Sequence, residues 1–272
     1  MLIFNPNTKK QIDSILVDMP QGVLLTGVAG AGLLATAKYI AGSQLSAIIG
    51  PVNKDGDINP VKGTISVKRI RELYDQSRSK SLKRQVFIID NADRMSAGAQ
   101  NAFLKLLEEP NPQVVFILTT HATTLLLPTV LSRVEQINIL PITNQQSVDL
   151  LINYKLSASQ QAQALFVAAG RPAELTRMAE NNSYFEAKAS IMSAAKTFVS
   201  GGRVDRLQVA FAYSVDREKS LQLLRSGIAI LTFTIKNKPS AEAIMHTKRL
   251  ADAYDAIAAN GNAKLHLVAT VL

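Results

Sequence analysis

Between Gly22 and Pro141, short apolar runs alternate with helical stretches, and this alternation restricts the possible folds more than any other feature. The predicted strands are Val23–Leu25, Leu45–Ile49, Val86–Ile89, Val114–Thr119 and Glu135–Ile139. The helices between them are Leu33–Ala41, Val67–Gln76, Ser96–Glu108 and a short one near Pro128–Ser132. Such alternation is typical of a parallel sheet with crossover helices. We therefore predict an α/β domain over residues 1–142, in which Pro110 ends the third helix.

The strand signals disappear after Pro141. Three short helices are predicted, at Asn144–Tyr154, Ala158–Ala169 and Ala173–Glu180, with a break at Gly170-Arg171-Pro172. From Ser183 onward, segments rich in alanine, leucine and isoleucine continue at helical spacing, with interruptions at 201–202, 237–239 and 260–262. We predict a small helical domain at 143–182 and a separate helical bundle at 183–272.

The composition indicates an ordinary globular protein without a metal. The chain has 272 residues, of which 47% are hydrophobic, enough for packed cores. It lacks an apolar run of about 18 residues, and its N-terminus lacks the layout of a signal peptide, so we expect a cytoplasmic protein without a membrane partner. Cysteine is absent and the histidines (His121, His246, His266) are scattered, so neither disulfides nor a metal site are expected.

The charge balance favours a polyanionic partner such as nucleic acid, although a basic surface alone explains it equally well. The formal net charge is +9. One run, Arg78-Ser-Lys-Ser-Leu-Lys-Arg84, places four cations in seven residues before a strand. Its simpler interpretation is a solvated loop.

A glycine-rich loop follows the first strand and has the spacing of a loop that cradles phosphate. Gly27, Gly30 and Gly32 supply the pattern, but Leu33 and Leu34 stand where a lysine and a hydroxyl residue are needed. An aliphatic side chain can neither neutralise phosphate nor ligate magnesium, so no bound nucleotide cofactor is expected. Considered alone, the loop is also explained by a tight strand-to-helix turn.

A second motif lies at the end of the third strand. Asp90 occupies the position at which nucleotide hydrolases hold magnesium, and Asn91 stands where a glutamate would activate water. An amide cannot accept that proton, so hydrolysis is not expected on this ground as well. The simpler interpretation of Asp90 is a cap at the end of the strand.

Four further stretches resemble the clamp-loader subunits of bacterial DNA polymerase III. They are ISVKRIREL at 65–73, SAGAQNAFLKLLEEP at 96–110, VFILTT at 115–120 and LPTVLSR at 127–133. The resemblance covers about residues 22–180, and the rest of the chain only by its helical character. It implies an AAA+-like α/β domain, a helical lid and a C-terminal helical collar that assembles into a ring.

The resemblance also implies a division of labour. In this family the gamma/tau subunits bind ATP, whereas delta-prime subunits often have a degenerate loop, as here. Arg133 would be an arginine finger that reaches a neighbour's ATP, Ser132 would help to place it, and Thr120 would occupy the sensor-1 position. The implied partners are gamma/tau and delta subunits, the sliding clamp and primer-template DNA. No ATPase or polymerase activity of its own is expected.

Several positions keep alternatives open. Arg133 could instead form a surface ion pair, and Thr120 a structural hydrogen bond. Val134 replaces the family's cysteine, Gly42–Thr64 lacks its zinc-binding cysteines, and Arg171 fits the turn better than the sensor-2 role.

Helix N-termini of this domain face the DNA backbone in the family's ring, with Lys68, Arg69 and Lys105 as candidate cations. The remaining alternatives for the whole chain are a structural adaptor and an ATPase with a non-standard loop.

Overall fold

The predicted strands pair into one parallel sheet in the computed structural model, which describes residues 2–60, 62–78, 84–109 and 111–272. They are β1 (Gly22–Gly27), β2 (Leu45–Ile49), β3 (Gln85–Ile89), β4 (Val114–Thr120) and β5 (Glu135–Ile139). Their order across the sheet is β2-β3-β4-β1-β5, with parallel pairing throughout. The predicted strands and the α/β fold are thus confirmed, and the carboxyl ends of β1, β3 and β4 meet at one edge.

The central strands are buried on both faces, which explains their uninterrupted apolar runs. All seven residues of β4 are buried, and Thr26 of β1 pairs in register with Thr120 of β4. One apolar cluster, including Phe87, Phe103 and Phe116, lies on one side of the sheet, and a second cluster, including Leu33, lies on the other. The sheet is therefore a rigid platform whose carboxyl edge positions the glycine-rich loop.

Eight α-helices accompany the sheet in the described parts of the first compact unit, Met1–Ala179. They are α1 (Pro6–Val17), α2 (Leu33–Ala41), α3 (Val67–Ser77), α4 (Ala97–Glu108), α5 (Pro128–Leu131), α6 (Asn144–Ile152), α7 (Ala158–Ala168) and α8 (Pro172–Glu180). Helix α1, which the sequence pattern does not predict, begins after the capping residue Asn5 and buries Ile12 and Ile15. Pro110, the predicted stop for α4, lies outside the described residues.

Two of the three helices of the predicted lid, α6 and α7, begin at strong capping signals. Thr143 with Gln146 and Ser157 with Gln160 form capping boxes at α6 and α7. The three helices α6 to α8 belong to the same compact unit as the sheet, apart from the last residue of α8. A separate lid domain at 143–182 stays a prediction.

The second compact unit, Glu180–Leu272, is helical. Its main helices are α9 (Asn182–Ser200), α10 (Arg203–Tyr213), α11 (Arg217–Asn237), α12 (Ala241–Ala258) and α13 (Ala263–Val271). The three predicted interruptions are confirmed. A fourth break, before the capping residue Asp216, was missed. Gly227 lets α11 approach its neighbours closely, since a Cβ there would lie 3.1 Å from Leu250 Cδ1.

Arg206 connects three helices within this second unit. Its Nε donates to the carbonyl of Phe198 in α9 at 2.9 Å, and its Nη2 donates to the carbonyl of Thr270 in α13 at 3.2 Å. The same Nη2 lies 3.3 Å from Nε2 of His246 in α12. Burial lowers the pKa of His246, and the charges of Arg206 and Arg249 lower it further against a smaller opposing effect of Glu242.

Throughout the described residues, the helices are too short or too polar for any of them to cross a bilayer.

Candidate functional site

The glycine-rich loop has the backbone of a tight strand-to-helix turn. Gly30 and Gly32 have φ angles of 86° and 91°, a region that other residues rarely adopt. Gly32 is the residue that precedes the first turn of α2. The glycines predicted to shape a phosphate loop therefore lie together, after β1 and ahead of a helix N-terminus.

Leu33 packs inward from this loop. Its side chain is 4% exposed and belongs to the apolar cluster beneath the loop. Its Cδ2 lies 3.2 Å from the place where Gly27 would carry a Cβ. Leu34 is half-buried against the same cluster. Aliphatic side chains thus occupy the two positions at which a lysine and a hydroxyl would be needed for phosphate and magnesium.

The N-terminus of α8 contacts the loop directly. The carbonyl of Gly30 accepts hydrogen bonds from the backbone N–H groups of Ala173 at 3.0 Å and Glu174 at 3.3 Å. These N–H groups belong to the first turn of α8, where no carbonyl of the helix itself can reach them. A Cβ on Gly30 would lie only 2.9 Å from Glu174 Cβ. The loop and the first turn of α8 are therefore in close backbone contact.

His121 contacts the other end of the loop, a contact that the sequence does not predict. Its Nδ1 lies 2.8 Å from the carbonyl oxygen of Gly27, so the ring donates there. No local pattern signals this contact, because the two residues are 94 positions apart. Both Gly27 and Gly30 thus have their carbonyl groups held by other segments.

The carboxylate of Asp90 is hydrogen-bonded through both oxygens. Thr119 Oγ1 donates to Oδ1 at 2.7 Å, and Asn91 Nδ2 donates to Oδ2 at 2.9 Å. The backbone N–H of Asn91, which has a φ of 54°, donates to Thr119 Oγ1 at 3.0 Å. Thr119, which no sequence motif marks, closes this ring of hydrogen bonds at the carboxyl edge of the sheet.

Thr120 has structural partners of its own. Its fully buried hydroxyl donates to Asp93 Oδ1 at 2.8 Å and accepts from the N–H of Ala122 at 3.0 Å. This geometry is the structural hydrogen bond that the sequence left open as an alternative to sensing nucleotide. The described ranges also contain no cluster of histidine, aspartate or glutamate that could hold a metal ion.

Arg133 and Ser132 lie at the opposite edge of the sheet from the loop, because they precede β5 in a parallel sheet. Arg133 Nη2 is 2.9 Å from Oε1 of Glu108, the last residue of α4. Its Nη1 donates to the carbonyl of Thr129 at 3.0 Å and lies 3.5 Å from Ser132 Oγ. The Arg133 side chain is 38% exposed, so part of it faces solvent.

The candidate DNA-contacting cations divide into two places. The segments before α3 and α4 pair in parallel, with the N–H of Ile65 bonded to the carbonyl of Arg94 at 2.9 Å, so the two helices start side by side. Lys68 and Arg69 lie in the first turn of α3, whereas Lys105 lies in the last turn of α4. The structure brings Lys68 and Arg69 together and separates Lys105 from them.

Two other basic features have local explanations. Arg171 donates from its guanidinium to the carbonyl of Val167, so it belongs to the turn, as predicted. In the basic run, Arg78 stacks 4.7 Å from the ring centre of Tyr74 and lies 3.9 Å from Glu109. Residues 79–83 of that run lie outside the described residues.

The parallel sheet, the glycine loop after its β1 strand and the adjoining helices define the AAA+ class of fold. A DNA polymerase III gamma subunit-related protein of Thermotoga maritima superposes with a TM-score of 0.59 at 19% identity, covering 96% of this chain and 97% of that one. A RuvB structure from the same organism superposes with a TM-score of 0.51 at 14% identity, covering 71% and 75% of the two chains. These likenesses show the fold.

Sequence comparison finds similarity to subunits of DNA polymerase III. Residues 10–143 match a family model described as DNA polymerase III, delta subunit. DNA polymerase III subunit delta' of Bacillus subtilis is 29% identical over 126 residues, which is 46% of this chain and 38% of that protein. The delta' subunit of Haemophilus influenzae is 29% identical over 121 residues, or 43% and 37%.

Through residues 10–143, the chain is similar to delta-prime-like clamp-loader proteins. The matched regions span less than two-fifths of the length of these two relatives.

Proposed function

We propose that this chain is a non-hydrolysing, delta-prime-like subunit of a clamp loader. It joins gamma/tau and delta subunits in a ring, supplies Arg133 to ATP bound by a neighbour, and helps to load the sliding clamp onto primed DNA. The predicted bundle at 183–272 serves as the collar of that ring. The relatives' names support this assignment, since both are delta' subunits of DNA polymerase III.

The packing of Leu33 carries the non-hydrolysing part of the proposal. The loop retains its glycine backbone, but Leu33 turns inward into the apolar cluster and offers no charge to a phosphate. Asn91 adds an independent argument, because its amide binds Asp90 and cannot act as a base. The chain therefore keeps the scaffold of a nucleotide site for another purpose.

The position of Arg133 supports a role in trans. Because it lies at the amino edge of the sheet, opposite its own glycine loop, it is unsuited to act on a nucleotide in that loop. A partly exposed guanidinium at this edge suits a phosphate presented by an adjacent subunit, where a delocalised cation stabilises the developing charge.

The test is the ATPase activity of the reconstituted assembly containing Arg133→Ala. We expect the rate to fall by at least about tenfold, because loss of an arginine finger removes charge stabilisation in the transition state. Arg78→Ala is the matched control, since Arg78 is also an exposed arginine paired with a glutamate at the end of α4. It should leave the rate unchanged.

Full activity with Arg133→Ala would instead support a structural adaptor. The ion pair between Arg133 and Glu108 is the observation that favours this second function.

A further inference from the structure

Glu108 and Arg133 join the ends of two helices at the amino edge of the sheet. Glu108 is the last residue of α4, and Arg133 follows Ser132, the residue that caps α5. The carboxylate Oε1 and the guanidinium Nη2 are 2.9 Å apart, within the range of a charge-assisted hydrogen bond. The two side chains are 51% and 38% exposed, so the pair lies at the surface rather than in a core.

The guanidinium is held from two sides. Nη2 of Arg133 contacts the carboxylate of Glu108, while Nη1 donates to the carbonyl of Thr129 at 3.0 Å. Two acceptors on different nitrogens fix both the direction of the side chain and the plane of its head group. Together with the 3.5 Å contact to Ser132, these contacts use fewer donors than a guanidinium carries, so donors remain for an anion.

The ion pair between Glu108 and Arg133 is weak enough to orient the guanidinium without preventing it from binding another anion. An exposed ion pair is worth about 0.2–1 kcal/mol, because water screens it and both side chains lose freedom. A phosphate group offers more negative charge and several acceptor oxygens, so it would draw the remaining donors without needing the pair to break. Glu108 can therefore orient the guanidinium of Arg133 and still leave it able to bind a phosphate.

The neighbouring residue provides an internal comparison. Glu109 lies 3.9 Å from Arg78, a looser pair in which each side chain is more than 60% exposed. The same helix end thus carries one close glutamate–arginine contact at the candidate finger and one loose contact away from it.

We propose that Glu108 is a positioning residue for Arg133, holding the guanidinium in the orientation in which it meets a neighbouring subunit's phosphate. This inference rests on the proposed function. Glu108 touches neither nucleotide nor substrate and acts only through Arg133.

The experiment measures kcat and KM for ATP in the reconstituted assembly with Glu108→Ala, Glu108→Gln and the control Glu109→Ala. We expect Glu108→Ala to lower kcat about three- to fivefold, in keeping with the worth of an exposed pair. KM should not change, because ATP would bind to the neighbour's own loop. Glu108→Gln keeps an acceptor oxygen and should restore part of kcat, and Glu109→Ala should match the wild type.

A double variant separates this inference from the function on which it rests. In an Arg133→Ala background, Glu108→Ala should cause no further loss, because residues that act as one unit are not additive. A normal kcat with Glu108→Ala beside a large loss with Arg133→Ala overturns the positioning role alone. A further loss in the Arg133→Ala background overturns it as well. Full activity with Arg133→Ala overturns the proposed function, and the positioning role with it.

Discussion

At the scale of single residues, Leu33 separates the shape of a loop from its chemistry. The positive φ angles of Gly30 and Gly32 preserve the turn, while Leu33 contributes packing in place of charge. The sequence predicts that the loop lacks its lysine, because the residue at each loop position can be read directly from the sequence. It does not predict the contacts of His121 with Gly27 or of Glu108 with Arg133, since these partners meet only through the tertiary fold.

The packing of Leu33 leads to a prediction about nucleotide affinity. Titration of the isolated chain with ATP and magnesium should give no saturable binding at micromolar concentrations, because the loop offers no lysine to the terminal phosphates. Isothermal calorimetry is a suitable measurement, with an intact ATP-binding subunit as the positive control. Micromolar affinity would favour an ATPase with a non-standard loop and would contradict the interpretation of Leu33 and Leu34.

At the scale of elements, most boundaries follow from local signals, and the exceptions have physical reasons. Strand β4 was predictable because burial on both faces requires a continuous apolar run. Helix α1 was missed because it buries few apolar residues and most of its length faces solvent. The break before Asp216 was missed because it carries neither glycine nor proline, and only the aspartate cap marks it.

The paired starts of α3 and α4 make the proposed DNA contact testable. A Lys68→Ala/Arg69→Ala variant of the assembly should bind primed DNA more weakly. Its slope of log affinity against log salt should be less steep by about 2, since each phosphate contact contributes about 0.9. Arg78→Ala, at the other end of α3, is the control and should keep the wild-type slope. An unchanged slope for the double variant would contradict the proposed contact of Lys68 and Arg69 with DNA. Lys105, at the far end of α4, is a separate candidate.

At the scale of the whole molecule, the sequence predicts three domains, at 1–142, 143–182 and 183–272, whereas the structure has two compact units, Met1–Ala179 and Glu180–Leu272. The sequence also anticipated the helical character of residues 180–272, through spacing and through breaks at glycine, asparagine and proline. It could not anticipate how Arg206 connects α9, α12 and α13, because a lone arginine on a helix reads as a surface charge.

This connection predicts a pH dependence of stability. The pKa of His246 is lowered from its ordinary value of 6.5, chiefly by burial and then by Arg206 and Arg249. The unfolded chain therefore binds a proton more readily than the folded chain. The contribution of His246 to the free energy of unfolding should be fully present above about pH 6.5. It should be lost progressively as the pH falls below that value.

Denaturation by urea at pH 7.5 and at lower pH, together with NMR titration of His246, checks this prediction. Arg249→Gln removes one of the cations and should reduce the slope, whereas His246→Gln should abolish this contribution. A His246 pKa at or above 6.5 would be inconsistent with it.

The contact of Gly30 with the first turn of α8 affects how the stability of this domain depends on nucleotide in the proposed ring. A domain whose lid is held by ATP gains stability from the ligand, and the gain varies with ligand concentration. Here backbone carbonyl and N–H groups make the connection, so its free energy is independent of any metabolite. In the proposed role, the angle between sheet and lid would stay constant through every round of hydrolysis, whatever the cell's ratio of ATP to ADP.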